Sequence, residues 1–318
     1  MKDIYLMTNG ILGGLFEKVD AGLPEWFKFK TGWLNGYIVP KLAKQPYEFY
    51  YIHQAVYDNV HDRFLFFGGI NGPNNSQTGV IYNYKANEWY YLNNIPTRSY
   101  GYGTVTQGKG CLLVPGQRPS SSGKQQDCYY YDYTSGVITN KPNMPYGVRG
   151  SAILGEWNGR VYVGDNNFYS GDNSSLQIYD SSTGTWTTGA PQETYWSVST
   201  GACSNGFFCL FGGSSSYGSG YIYKYNIGTN TWTKVSKNIS YDESSATVFK
   251  GLIYTAYSSV GSNGNGNLRS YNPIDDSTYD VEGSPAIASS RTPIASDGRN
   301  WIYLFTRSGY DNYAYKQE

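Results

Sequence analysis

The chain has 318 residues, no formal net charge (24 basic against 24 acidic side chains) and only 39% apolar residues. No continuous apolar stretch is long enough to cross a bilayer as a helix. No basic stripe of the kind that phosphate backbones demand is present either, which disfavours nucleic acid as a partner. Heavy use of Tyr (34) and Gly (39) favours many short strands and tight turns in one large all-β unit.

In chain order, the first ten residues lack the apolar core and small-residue cleavage site of a secretory signal, so secretion by that route is not expected. Residues 1–32 read as an irregular, aromatic-rich extension. It is either a cap packed on the rest of the fold or an anchor for another protein, with Trp26, Phe27, Phe29 and Trp33 as the candidate anchor residues, because clustered aromatics suit an interface. From there to the C-terminus a landmark recurs: an aromatic, then Asn or Asp, with a large residue seven positions after the aromatic. It reads Tyr82-Asn83 with Trp89, Tyr131-Asp132 with Ile138, Tyr179-Asp180 with Trp186, Tyr225-Asn226 with Trp232 and Tyr271-Asn272 with Thr278. In the last copy Tyr279 is expected to take the place of the missing indole. The tyrosines are spaced by 49, 48, 46 and 46 residues, a period that marks a radial or solenoidal repeat.

Each period reads as four strands. In the first they are residues 49–57, 63–67, 80–84 and 89–92, with Gly68-Gly69 closing the second; the same grammar recurs near 98–142, 149–190, 196–236 and 243–283. A sixth unit begins near Arg291, with strands at 301–305 and 313–315, and the chain stops before a fourth. An open sheet edge there would be a liability. In the repeats a proline lies 34 or 35 residues before the next landmark tyrosine, and counting back from Tyr82 reaches Pro46. Residues 37–42 are therefore expected to supply the missing strand.

The diglycine, Tyr and Trp grammar resembles the kelch repeat. That resemblance covers roughly residues 35–318 and implies a β-propeller of four-stranded blades around a central channel. The expected fold is all-β: a six-bladed propeller over 33–318, closed by the N-terminal strand, with 1–32 as an extension.

The cysteines read as free thiols. Asn205-Gly206 is a strong two-residue hairpin turn, which sets Ala202 opposite Cys209 and Cys203 opposite Phe208, so the two thiols face opposite sides of the sheet. Cys111 and Cys128 fall at opposite ends of an antiparallel pair. Such unbridged thiols suit folding in a reducing compartment.

Catalytic constellations are not found. His53 and His61 have no carboxylate cluster or Cys pair beside them, and so make no metal site. The string Asp180 to Trp186 has its glycine too far from the aspartate for a sialidase box and reads as a repeat turn. No acid–base carboxylate pair, phosphate loop or nucleophile elbow is present, and neither catalytic activity nor a cofactor is expected.

Two sets of candidate binding residues remain. At the crossings from each outer strand to the next inner strand stand Glu48, Arg98, Arg149, Trp196, Glu243 and Arg291, where the arginines suit bidentate capture of an acidic group or, alternatively, mutual neutralisation with the acids. Kelch-type channel mouths imply the same positions. The segments 71–78, 164–175, 214–220 and 258–267 are rich in Gly, Ser, Asn and Tyr, as antibody paratopes are. Tyr100, Tyr102, Tyr146, Tyr195 and Tyr217, with Trp196, are the aromatics expected to stack on sugars or partner side chains.

Three readings follow. The first is a non-enzymatic recognition or scaffold propeller, held to other subunits through its extension and contacting protein or glycan. Unsecreted thiols beside adhesin-like loops resemble bacteriophage tail or appendage proteins, which implies a virion location and a role in host recognition. The second is a small-molecule enzyme similar to the sialic-acid mutarotases, using Arg and Glu at the channel mouth. The third is an intracellular adaptor.

Overall fold

Strings such as Phe64-Leu65-Phe66-Phe67, Leu112-Leu113-Val114 and Phe208-Cys209-Leu210-Phe211 are apolar at consecutive positions. A strand with no polar face is stable only when both faces are covered, and each of these is the second strand of a four-stranded antiparallel sheet, buried on both sides. The computed structural model describes residues 16–18, 27–29, 36–44, 46, 54–68, 79–92, 94–96, 102–116, 125–148, 152–165, 175–191, 200–211, 221–236, 242–258, 267–281, 293–305 and 312–317.

Six such sheets form the blades of a propeller, five with their strands in sequence order from the axis outward and the sixth completed on its outside by an N-terminal strand. Blade 1 comprises Val56–Asp58, Arg63–Phe67, Gly79–Asn83 and Glu88–Leu92. Blade 2 comprises Tyr102–Gln107, Gly110–Pro115, Cys128–Asp132 and Ile138–Lys141. Blade 3 comprises Ala152–Trp157, Arg160–Asp165, Ser175–Asp180 and Thr185–Pro191. Blade 4 comprises Thr200–Ser204, Phe207–Phe211, Tyr221–Asn226 and Thr231–Ser236. Blade 5 comprises Asp242–Phe249, Leu252–Ser258, Asn267–Tyr271 and Thr278–Asp280. Blade 6 takes Ile294–Ser296, Ile302–Leu304 and Asn312–Gln317 from the C-terminus and Gly36–Leu42 from the other end of the chain.

Ring closure follows the sequence expectation. Gly36–Leu42 pairs antiparallel with Asn312–Gln317, with Ile38 opposite Tyr315 and Gly36 opposite Gln317. The innermost strands touch their neighbours all the way round, blade 6 against blade 1 included. Six hydrophobic clusters hold the ring, one between each pair of successive blades; the blade 6–1 cluster joins Phe64, Phe66 and Tyr82 to Tyr303 and Phe305. Glycine allows close inner-strand approach: a Cβ on Gly103 would collide with Leu154 Cδ1, and one on Gly155 would lie 2.6 Å from Cys203 Sγ.

The extension departs from the irregular segment expected. Phe16–Lys18 and Phe27–Phe29 form a two-stranded antiparallel sheet. Among the anchor candidates, Phe27 and Phe29 lie in that second strand, while Trp26 and Trp33 fall outside the described residues. The cysteine register is as read, with Ala202 opposite Cys209 and Cys203 opposite Phe208. All four thiols are unbridged and buried, and burial pushes Cys128 up to about 12 and raises the other three well above the ordinary thiol value, which keeps them protonated and unreactive at neutral pH.

The landmark residues are the staples between blades. The Asn or Asp after each tyrosine caps the turn to the outer strand: Asn83 Oδ1 accepts from the Lys85 and Ala86 amides, and Asn226 Oδ1 from those of Gly228 and Thr229. Five positions after the tyrosine the chain turns left-handed, at Asn87, Gly136, Gly184, Asn230 and Asp276. Asn87 Oδ1 accepts the Tyr82 hydroxyl at 2.7 Å and the Ala43 amide at 2.7 Å, while the Trp89 indole donates to the Ala43 carbonyl at 2.9 Å. Blade 4 grips Ala190 in the same way through Asn230 and Trp232. In blade 3 the residue gripped is Pro142, which has no amide to donate; Trp186 still takes its carbonyl at 2.8 Å, and glycine replaces the asparagine.

Blade 5 corrects an expectation. Tyr279 does not replace the missing indole; it is 66% exposed. Asp276 substitutes for the staple instead, accepting both the Tyr271 hydroxyl and the Lys224 ammonium from blade 4 at 2.6 Å.

Replacing Asn87 tests the staple. Asn87→Gly keeps the left-handed turn and loses two accepted hydrogen bonds, an expected cost of about 2 kcal/mol. Asn87→Ala adds the left-handed penalty for a Cβ, for a total of about 3 kcal/mol. Denaturant unfolding of the two variants reads the difference.

Candidate functional site

The axis of the ring is the natural place for a site, since all six innermost strands converge there. It holds a cavity of about 360 Å³ lined by every blade. Small residues dominate the lining: Ala55, Thr104, Gly155, Ala202, Ala246, Thr247, Ala295 and Ser296. Glu156 is the one carboxylate among the described lining residues, and its Oε1 accepts the Gly159 amide at 2.7 Å, closing its own hairpin.

One buried side chain bars this channel. Gln54 stands just before the innermost strand of blade 1 and is 5% exposed. Its Oε1 accepts the backbone amides of Thr104 in blade 2 and Leu154 in blade 3, each at 3.1 Å. Its Nε2 donates to the Leu154 carbonyl at 2.7 Å and to Gly201 in blade 4 at 3.4 Å. A single amide thus ties three blades to a fourth across the axis. Its donors and acceptors all meet complementary backbone groups, as a buried amide requires.

Around the blade 1 hairpin a polar cluster serves the fold. The fully buried Asp58 carboxylate accepts from the amides of Val60 and His61, the His61 ring at 2.9 Å and Arg63 Nε at 2.8 Å. Beside it Asp62, in a left-handed conformation, accepts the Tyr57 hydroxyl and the Lys85 ammonium, with Arg299 of blade 6 at 3.8 Å. Partial burial disfavours the Asp62 carboxylate, but hydrogen bonds from Lys85, Tyr57 and Tyr84 outweigh it and bring its pKa down to about 2.

Of the crossing residues, Glu48, Arg98, Arg149, Trp196 and Arg291 lie outside the described residues. The backbone of Glu243 lies in the innermost strand of blade 5, opposite Tyr257 and next to a bulge, at the end away from the Lys250-Gly251 turn. Among the aromatics, Tyr100, Tyr195 and Tyr217 are also outside. Tyr146 is exposed (39%), and its amide donates to Gln177 at 2.9 Å. Tyr102 corrects the reading: it opens the innermost strand of blade 2 and is buried at 1% in the core between blades 1 and 2, so it offers no contact surface. Gln54 escaped the sequence reading because it occurs once and the repeat leaves no signal for it.

Fold and axis together define a closed six-bladed β-propeller with an internally barred channel. No known family's sequence profile matches the chain, and no curated protein matches it.

Two measurements test this geometry. Gln54→Ala strands two buried amides and two carbonyls, an expected loss of about 3 kcal/mol in denaturant unfolding. For Asp62 the folded pKa lies below the unfolded value of about 3.9, so its contribution is complete above that value and is lost as pH falls toward about 2. The stability difference between wild type and Asp62→Asn should therefore shrink across that window, as read by unfolding midpoints at a series of pH values.

Proposed function

We propose that this protein is a non-enzymatic recognition or scaffold propeller. The observation that carries the reading is the Gln54 bar: its side chain crosses the axial cavity, which is lined largely by small neutral groups and whose one described carboxylate is engaged in a turn. An enzyme of the channel-mouth kind needs convergent charged groups around a deep pocket. The propeller architecture itself suits protein interaction, since it presents many loops on a rigid ring.

The finer reading is a kelch-type propeller acting as a virion component, a phage tail or appendage protein with a part in host recognition. Supporting it are the Tyr/Trp repeat, the unbridged thiols and the Gly-, Ser-, Asn- and Tyr-rich segments. On this reading Arg98 and Arg149, with the neighbouring crossing residues, meet the receptor, and residues 1–32 join the ring to another subunit.

Size-exclusion chromatography and cryo-imaging of the native assembly test both levels. The full chain is expected in a defined particle, and deletion of residues 1–32 should release a folded ring from it. Arg98→Glu with Arg149→Glu should leave assembly intact and abolish receptor contact. A soluble monomer that turns over sugars would overturn the proposal.

A further inference from the structure

A second cavity, of about 370 Å³, lies between blades 3 and 4 at the end of the ring that carries the hairpin turns. Its wall is built by the hairpin Trp157-Asn158-Gly159-Arg160 and the turn Asp180-Ser181-Ser182. Asn158 and Gly159 both have positive φ, the two-residue turn that matches strand twist and projects the flanking residues tightly. The repeat does not call for this chemistry. The residue pairs closing the equivalent hairpins are Asp58/Arg63, Gln107/Gly110, Ser204/Phe207 and Phe249/Leu252; blade 3 alone among these five sets an indole opposite a guanidinium.

The polar groups are organised for a ligand with both donors and acceptors. Arg160 Nε binds Asp180 Oδ2 at 3.1 Å, yet the Arg160 side chain remains 58% exposed. A guanidinium has five N–H donors, more than this pair consumes. Ser181 Oγ donates to the Gly159 carbonyl and Ser182 Oγ to Asp180 Oδ1, each at 2.6 Å, so both hydroxyls have placed their protons and keep lone pairs to accept. The half-buried Trp157 adds aromatic surface against the blade 3–4 core. Arg160 and Asp180 cancel in charge.

A polyol is the ligand class that matches this set: its hydroxyls donate and accept, and its C–H face packs on an aromatic ring. We propose that this groove binds a neutral saccharide, with Trp157 as the stacking surface and Arg160 paired with Asp180 as the hydroxyl clamp. The site lies at the opposite end of the strands from Glu243, and it stands or falls independently of the role of the crossing residues.

Saturation-transfer NMR on the full chain tests it, with D-glucose, D-galactose, D-mannose and N-acetylglucosamine as probes and N-acetylneuraminic acid as the charged control. At least one neutral sugar should receive saturation. Arg160→Ala, an exposed change checked for folding by circular dichroism, should weaken that sugar about tenfold or more, the loss of one charge-assisted hydrogen bond. Trp157→Phe should change the binding while keeping an aromatic ring in the wall. Should that variant fail to fold, Arg160→Ala alone decides. No transfer to any neutral sugar, transfer unchanged by Arg160→Ala, or preference for the charged sugar would each overturn the proposal.

Discussion

Ala43 is the residue on which the ring closes. It directly follows the strand donated to blade 6, and both of its backbone polar groups are held by other parts of the ring: its amide by Asn87, its carbonyl by Trp89, and the same carbonyl by Asn312 of blade 6, 269 residues away, at 2.7 Å. Singly these bonds are modest, about 1 kcal/mol net each. Together they fix where an early segment lands against a late one, and the Phe64–Tyr303–Phe305 cluster then has its register set for packing. The apolar surface between blades supplies the larger driving force, but that force is non-directional. The staples supply the direction.

The blades differ from one another in a way that fits this division of labour. Where the gripped residue has an amide, at Ala43 and Ala190, an asparagine waits for it; where the gripped residue is Pro142, the asparagine is a glycine and only the indole bond remains. In blade 5, which has no indole, an ion pair between Lys224 and Asp276 spans the boundary with blade 4, with the lysine side chain only 12% exposed. Such a pair, partly desolvated and sharing its carboxylate with Tyr271, is worth more than a surface ion pair. One geometric task, joining neighbouring blades at the outer turn, is met with three sets of atoms.

The repeat made most of this fold legible in the sequence. Spacing located the landmark tyrosines, the hairpin at Asn205-Gly206 fixed the thiol register, and the missing fourth strand of blade 6 pointed to residues near Pro46. What stayed hidden lacks a period. Gln54 acts once, through backbone groups of three other blades, and no local pattern marks it. The left-handed asparagines do recur five residues after the tyrosine, but their partner is the preceding blade, which spacing alone does not reveal. Tyr102 sits in a Gly- and Tyr-rich string that reads as loop, and only the tertiary wall between blades 1 and 2 makes it core. Tyr279 is the converse, a ring one position past the repeat spacing, so it pairs with Ser270 rather than Tyr271 and faces solvent from the other side of its strand.

The donated strand has a mechanical consequence. Gly36 and Gln317 are directly opposite partners, so the two limbs of the chain leave the ring at the same rung. Tension applied between them would load that rung alone and then the next, peeling the seam in sequence. Tension directed along the strands would strain all the rungs together. The seam is therefore compliant to opening at the limbs and stiff to sliding.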